Sequence, residues 1–294
     1  MSIIIGVIEE GLIYAIMALG LYITYKILDF PDLSVDGTFP MGAAVTAMLI
    51  LKGVHPVLTL LISFAAGLLA GCITGLIHVK LKVRDLLSGI IMMTALYSIN
   101  LRIAGKANLP IFSKETIFEN AFLEAVVPKA LDPYLVCIIL FVIVLVCKVL
   151  LDLFLKTRAG YLLRAVGDNE VLVTSLAKDK GMVKILGLAL ANGFVALAGC
   201  VYCQQKGFFE VSTGTGTMVI GLASVIIGTK LLKRFRSVKA TTAVIFGSIV
   251  YKACVSLAIA LGMAASDLKL ITAVLFLIIL VASNRKERKV KVHA

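Results

Sequence analysis

The chain has 294 residues, of which 60% are hydrophobic and only 16% are charged, and its mean hydropathy is +1.04. Soluble domains carry about 25% charged residues, so this composition excludes a water-soluble globule and predicts a protein of the lipid bilayer. Lys and Arg number 29 against 17 Asp and Glu, a formal net charge of +12. In a membrane protein such an excess marks cytoplasmic loops, so we expect no nucleic-acid partner.

Apolar segments recur along the whole chain. A spanning helix needs about 20 mostly apolar residues, because the hydrocarbon core is about 30 Å thick. The sequence predicts about nine such helices (eight to ten), at residues 3–25, 33–51, 57–78, 87–104, 134–153, 183–203, 213–229, 240–262 and 268–283. The second, seventh and ninth are short or interrupted. We therefore expect a single all-α polytopic domain over residues 1–294.

The basic residues predict the orientation of these helices. With loops assigned alternately to the two sides, one side holds 21 of the 29 Lys and Arg and the other holds seven, while Lys252 lies inside a segment. The positive-inside rule then places the C-terminus in the cytoplasm and, with nine crossings, the N-terminus outside. The first ten residues contain Glu9 and Glu10 but no basic region, so we do not interpret them as a signal peptide.

The sequence contains no motif for catalysis, metal binding or phosphate binding. Cys200 and Cys203 form a C-x-x-C pair without a second pair, and we interpret them as packing residues. The Gly/Thr run at 213–217 is not followed by Lys-Ser or Lys-Thr, so it is not a phosphate-binding loop. We expect no enzymatic activity and no cofactor in this chain.

Two stretches combine charged residues with helix breakers. Residues 29–40 contain three Asp and two Pro, and residues 206–217 contain Lys206, Glu210 and three Gly. Charged groups and broken helices inside a membrane usually line a cavity or the protein interior. Asp29 and Asp32 also lie close enough to the cytoplasmic interface to be solvated there.

The two stretches align weakly with each other at an offset of 178 residues, where residues 32–34 match 210–212. With the predicted topology, the first stretch runs outward and the second runs inward. Segments one to four would then match segments six to nine around a central fifth segment. This is an inverted 4+1+4 repeat, a plan typical of transporters.

Polar residues in these stretches and within the apolar segments predict a transport pathway. The candidate residues are Asp36, Gly37, Thr38, Asn100, Glu210, Ser212, Thr213, Gly214, Thr215 and Lys252.

Each candidate also has a structural interpretation. Asp36 is suited to cap a helix, and Glu210 to lie on the outer surface. The Gly/Ser/Thr pattern of the seventh segment fits a helix-packing face, and Asn100 and Asn192 fit interhelical hydrogen bonds. Lys252, midway along its segment, needs an acidic partner such as Asp36 or belongs to a structural ion pair.

The longest cytoplasmic connection covers residues 156–182. Its pattern predicts a helix ending near Val166, a turn at Gly167, and a second, amphipathic helix that begins at Asp168 or Asn169 and ends at Gly181. An amphipathic helix of this kind lies at the membrane interface or binds in a groove of a partner protein.

The connection also carries a resemblance. The runs TRAG at 157–160, RAVGDN at 164–169 and KDKGM at 178–182 resemble permease subunits of bacterial ATP-binding-cassette (ABC) importers in the branched-chain amino-acid permease family. GLYITYKILDF at 20–30 and GLASVIIG at 221–228 extend the resemblance over most of the chain.

The resemblance implies a permease in the bacterial cytoplasmic membrane with three kinds of protein partner. A cytoplasmic ATPase subunit would hold ATP and Mg²⁺, an extracytoplasmic binding protein would deliver the solute, and a second permease copy would complete a homodimer. The residues that the resemblance places at the ATPase contact are Arg164, Ala165, Gly167, Asp168, Asn169, Glu170, Lys178 and Gly181.

The run DLSVDGT at 32–38 differs from the pattern common in branched-chain amino-acid permeases. It resembles a sister subgroup that is often associated with aromatic amino acids, so an amino acid is the expected solute, while sugars and nucleosides stay open. Two other classes also fit the sequence. One is an ion-driven secondary transporter that uses Asp36, Glu210 and Lys252, and the other is a membrane scaffold.

Overall fold

The protein is described by a computed structural model that covers residues 2–120, 132–168, 179–232 and 238–262, with short pieces between 267 and 281. The first half contains α1 (Ser2–Leu21), which continues as a π-helix (Tyr22–Ile27), then α2 (Val35–Leu51), α3 (Pro56–Val79), α4 (Asp85–Ala104) and strand β1 (Asn108–Pro110). The second half contains α5 (Asp132–Phe154), α6 (Arg158–Asp168), α7 (Lys180–Lys206), β2 (Phe208–Glu210), a 3₁₀ turn (Val211–Gly214), α8 (Thr217–Leu231) and α9 (Ala240–Ala260).

These elements confirm a polytopic helical membrane protein. Within the described ranges, seven helices are long and apolar enough to cross a membrane, and α2 is a shorter apolar helix. They match the first eight predicted segments. The ninth segment, 268–283, is described only in part, because seven of its 16 residues lie outside the described residues.

The helices pack around α7, the most buried spanning helix. Its contacts with α2 and α3 are close because glycine faces backbone at the crossings. A Cβ on Gly199 would lie 1.9 Å from the carbonyl oxygen of Phe39 on α2. Small residues at such crossings let backbones approach, which is the main source of helix association in lipid.

The helix contacts of the first half recur in the second half, with α7 and α1 taking each other's place. Helix α3 packs along α7, and α9 packs along α1; α2 contacts α7, and α8 contacts α1. Likewise α2 contacts α3, and α8 contacts α9. Helix α5 packs against α1 and is the least buried spanning helix.

Two short strands cover one end of the bundle. Strands β1 and β2 pair antiparallel, with Asn108 opposite Glu210 and Pro110 opposite Phe208. The side chain of Gln204, at the end of α7, accepts a hydrogen bond from the Ile117 backbone and donates one to Thr59 on α3. This end of the molecule therefore holds the chain immediately before the 3₁₀ turn in place.

Candidate transport site

The amino-terminal ends of the two short helices, α2 and α8, meet inside the bundle. Asp36, in the first turn of α2, accepts hydrogen bonds from the backbone N–H groups of Gly216 and Met218 at 2.9 and 2.8 Å. It also accepts one from the Thr217 hydroxyl at 3.0 Å. The carboxylate of Asp36 therefore caps α8, a different helix from its own, and offsets the positive end of the α8 dipole.

The approach of the 3₁₀ turn to α2 depends on Gly214. A Cβ at this position would lie 2.0 Å from the carbonyl oxygen of Asp36 and 2.6 Å from Cδ of Pro40. Pro40 has no N–H, so the carbonyl of Asp36 lacks its usual helical partner and the turn packs against it. The helix breakers in both stretches thus shape a single contact.

A cavity with a volume of about 270 Å³ opens beside this contact. Helix α4 forms its opposite wall. The lining residues are Asp36, Gly37, Pro40, Met93, Thr94, Tyr97, Asn100, Val211 and Thr215. This set contains one acidic and no basic side chain, so the only charge on the described lining of the cavity is negative.

Asn100 is the most constrained polar residue of this wall. Its side chain is fully buried, and Nδ2 donates to the carbonyl oxygen of Gly37 at 3.0 Å. Its Oδ1 has no hydrogen-bond partner among the described residues. A buried acceptor of this kind costs free energy unless a donor reaches it, while the bond from Nδ2 is the interhelical contact considered above as its structural interpretation.

The structure brings four of the ten predicted pathway residues to this cavity: Asp36, Gly37, Asn100 and Thr215. Gly214 lies behind the cavity against α2. Ser212 and Thr213 instead form local hydrogen bonds with Glu210, to its carboxylate and to its backbone carbonyl. Glu210 itself ends strand β2 opposite Asn108 and is not among the residues that line the cavity.

Thr38 faces a buried network on the other side of α2. The Asn192 side chain of α7 accepts from the Thr38 hydroxyl at 2.7 Å and from the Ser34 hydroxyl at 3.2 Å, and it donates to Asp32 at 2.8 Å. Asp32 also accepts from the backbone N–H of Ser34. Of the two interpretations left open for Asp32, solvation at the interface is excluded, because only 2% of the residue is exposed.

Asp32 lies in the connection between the π-helix and α2, outside the spanning helices. Burial raises the pKa of its carboxyl above the usual value, while the hydrogen bonds from Ser34 and Asn192 oppose that rise. Asp29, three residues earlier, is exposed as expected.

Comparison with known proteins identifies the chain. The profile of the family described as "branched-chain amino acid transport system / permease component" matches residues 3–283. The chain belongs to this family. The permease is 47% identical to a tyrosine transport system permease protein of Clostridioides difficile, over 97% of its own length and 92% of that protein.

More distant relatives carry other names. The ribose import permease of Escherichia coli is 22% identical over 76% of this chain and 68% of its own length. An autoinducer 2 import permease of Salmonella typhimurium is 37% identical over 26% of this chain and 22% of its own length. No solved structure matches the permease. The resemblance drawn from the sequence is confirmed: the protein is the multi-pass permease subunit of an ABC importer of the cytoplasmic membrane.

The predicted ATPase contact of the permease is described in part. Helix α6 runs through Gly167 to Asp168, so the prediction of a turn at Gly167 was wrong. The reason is packing: a Cβ on Gly167 would lie 1.6 Å from the carbonyl oxygen of Ile27, so α6 stays helical along the π-helix. Asp168 and Arg164 are exposed, and Ala165 is half-buried. Asn169, Glu170 and Lys178 lie outside the described residues.

Gly181 also differs from its prediction as the end of the second helix. It lies in the first turn of α7, where its N–H donates to the capping carboxylate of Asp179 at 2.8 Å. It is buried, and an added Cβ would meet Val79 of α3 at 2.4 Å. Its place is therefore at the base of α7 and not at an exposed contact.

Lys252 belongs to a second polar cluster, away from the cavity. Its ammonium group lies 3.1 Å from Oε2 of Glu10 and 4.0 Å from the ring centre of Tyr14. Lys206 binds the other oxygen of Glu10 at 2.8 Å. The suggested partner Asp36 was wrong, and the structural ion pair is the correct alternative. Asp36, Glu210 and Lys252 are not brought together, so the secondary-transporter alternative has no coupling site here.

This cluster predicts unequal effects of its members on stability. Glu10→Gln leaves two ammonium groups without their acid, whereas Lys252→Met leaves the Glu10–Lys206 pair intact. The Lys252 side chain is only 13% exposed and is left without its acid in the first variant, so we expect Glu10→Gln to lower the thermal unfolding temperature in detergent more than Lys252→Met. Equal shifts for the two variants would contradict the shared role of Glu10.

Three cavity residues on α4 were missed by the sequence reasoning: Met93, Thr94 and Tyr97. Met93, Tyr97 and Asn100 stand at positions i, i+4 and i+7, which places them on one face of a helix. The singled-out Asn100 could therefore have led to its neighbours. Glu10 was noted only as an acidic residue at the outward end.

Proposed function

We propose that the permease carries an amino acid, with tyrosine as the first candidate, through the cavity between α2, α4 and the 3₁₀ turn. The main observation in support is that the amino-terminal ends of the two broken helices meet at this cavity and are joined by Asp36. Discontinuous helices of this kind form substrate sites near the centre of many transporters. The named function of the 47% identical relative supports the choice of solute.

The lining suggests which end of the solute is bound. Asp36 and the unpaired Oδ1 of Asn100 are acceptors, Tyr97 adds a hydroxyl, and Met93 and Val211 are apolar. We assign the acceptors to the amino group and the apolar wall to the side chain. Charge-assisted hydrogen bonds from an ammonium group are the strong ones, so this end dominates recognition.

The proposal includes the architecture predicted from the sequence. The exchanged helix contacts of the two halves support an inverted 4+1+4 repeat with a cytoplasmic C-terminus. In this orientation α6 lies on the cytoplasmic side, where an ATPase subunit with ATP and Mg²⁺ would contact the exposed Asp168 and the residues up to Lys178. A homodimer and an extracytoplasmic binding protein complete the importer.

The test is uptake by proteoliposomes that contain the permease, its ATPase subunit and its binding protein. We expect ATP-dependent uptake of labelled tyrosine. An excess of unlabelled leucine or ribose should reduce this uptake only weakly. Uptake without the ATPase subunit would contradict the ABC mechanism. Strong competition by ribose would overturn the choice of solute while leaving the mechanism in place.

A bulky residue in the cavity should block transport. Thr94 is an exposed lining residue of α4, and Thr94→Trp would fill much of the 270 Å³ space. We expect tyrosine uptake to fall by about tenfold or more, because a filled site excludes the solute. The matched control is Thr242→Trp, since Thr242 is exposed on α9 and lines none of the described cavities. Equal uptake by the two variants would place the path elsewhere.

A further inference from the structure

A basic cleft lies at the end of the groove between α5 and α9. Both helices pack against α1 but contact each other at only a few residues. Helix α1 therefore forms the floor of the groove. The cleft has a volume of about 350 Å³. Its lining residues are Tyr22, Asp152, Leu155, Lys156, Tyr161, Arg164, Lys239, Ala240 and Thr241.

The one acid in the cleft is already neutralised. Asp152 lies 3.1 Å from Lys148 and 3.1 Å from Lys239, and it accepts a hydrogen bond from the Thr241 hydroxyl at 2.7 Å. Lys156 and Arg164 make no ion pair with any residue that the structure describes. Among the residues that the structure describes, the cleft therefore keeps two positive charges without an acidic partner.

The backbone adds to this positive character. Helix α9 begins at the cleft, and its N-cap Lys239 makes no side-chain capping hydrogen bond. The first N–H groups of a helix carry partial positive charge and favour an anion. Two cationic side chains, a helix start and two tyrosine hydroxyls thus face the same space.

The surface next to the cleft is apolar and faces lipid. Leu145 and Val149 on α5 are 46% and 45% exposed. They stand at positions i and i+4, Asp152 continues the same helical stripe at i+7, and Lys156 lies in the turn just after the helix ends at Phe154. An acyl chain that follows this stripe leads directly to the unpaired charges.

We propose that this cleft binds the phosphate of an anionic phospholipid whose acyl chain lies in the groove between α5 and α9. Lys156 and Arg164 bind the phosphate, and the start of α9 supports them. With the proposed orientation the lipid belongs to the cytoplasmic leaflet, where basic pockets between spanning helices bind anionic headgroups. The Arg164 side chain is then a lipid contact, and the ATPase contact begins at Asp168.

The test uses the absence of Trp from the chain. Tyr161→Trp places a single fluorophore at the cleft, and the permease alone is reconstituted in phosphatidylcholine nanodiscs that contain a minor fraction of brominated lipid. We expect brominated phosphatidylglycerol to quench more strongly than brominated phosphatidylcholine at the same fraction. The preference should fall by about fivefold for each of Lys156 and Arg164 that is replaced by Ala.

The matched control is Lys80→Ala with Lys82→Ala, which removes the same charge from two exposed residues outside the cleft. We expect this pair to keep the preference for phosphatidylglycerol. Native mass spectrometry of the unsubstituted permease should also retain phosphatidylglycerol over phosphatidylcholine, so a poorly folded variant does not decide the outcome. Equal quenching by both lipids would overturn the proposal. So would a Lys156→Ala/Arg164→Ala variant that no longer binds the ATPase subunit but keeps its lipid preference. Neither result depends on substrate, so the proposed transport function is tested separately.

Discussion

Asp36→Ala is expected to reduce substrate uptake by about tenfold or more while the protein still inserts into the membrane, since hydrogen bonds to a charged acceptor contribute about 1.5–3 kcal/mol each. The carboxylate accepts from two backbone N–H groups and a hydroxyl at the start of α8. Without it, those groups are left unpaired at the junction of α2 and α8. The cavity that the junction borders then loses its shape and its acidic acceptor together.

Asp36→Asn separates these two losses. The amide keeps an oxygen that accepts from α8 but loses the negative charge, so we expect uptake between that of the Ala variant and the natural permease. His55→Ala is the matched control, because the His55 side chain also caps a helix, α3, through the N–H of Val57, but lies at the surface. Its loss should cost about 1 kcal/mol of stability and leave uptake near normal. Equal effects of Asp36→Ala and His55→Ala on uptake would show that capping alone matters.

Gly167→Val is expected to separate ATP hydrolysis from transport. The new side chain would overlap the carbonyl oxygen of Ile27, which a Cβ at this position already approaches to 1.6 Å. Helix α6 would have to move off the π-helix, and overpacking of this kind costs about 1–3 kcal/mol. We expect uptake to fall by about tenfold, with ATPase activity that the loaded binding protein no longer stimulates.

The control for this variant is Gly6→Val. Gly6 lies on α1, and a Cβ added there meets nothing within 4 Å. It should change neither uptake nor stimulation. Normal stimulation of ATPase activity in Gly167→Val would mean that the contact between α6 and the π-helix takes no part in coupling.

The periodicity and length of apolar segments were sufficient to predict eight helices, because lipid forces each spanning backbone to satisfy its hydrogen bonds within one helix. The same requirement distinguishes residues 29–40 and 206–217, because their charged residues and helix breakers do not fit a helix that faces lipid. Both contribute to the cavity, and Asp36, Gly37 and Thr215 are among the residues that line it.

The partners of these residues could not be read from the sequence. Lys252 was correctly expected to need an acid, but its partner Glu10 lies 242 residues away on another helix. Asp36 was correctly considered as a cap, yet the capped helix is α8 and not α2. In each case the residue type indicated the interaction, while the helix packing decided with which group it was made.

Local sequence signals failed where packing overrode them. Gly167 and Gly181 were interpreted as a turn and a helix end, because glycine weakens helices. Both are helical in the structure, since each lies against a neighbouring segment that leaves no room for a side chain. A glycine chosen for close approach cannot be distinguished by sequence from one chosen for a turn.

The π-helix at Tyr22–Ile27 determines how the chain that follows it, up to α2, is rotated about the helix axis. Its wide turn is visible in the hydrogen bond from the N–H of Leu28 to the carbonyl of Ile23, five residues back. A π turn holds one residue more than an α turn, and each residue of an α-helix advances by about 100°. Restoring α-geometry here at the same chain length would therefore turn the downstream chain by about that angle. Asp32 would then face away from Asn192, and the junction of α2 and α8 would lose its register. The one extra residue of this turn thus keeps the buried network of Asp32 and Asn192 in place.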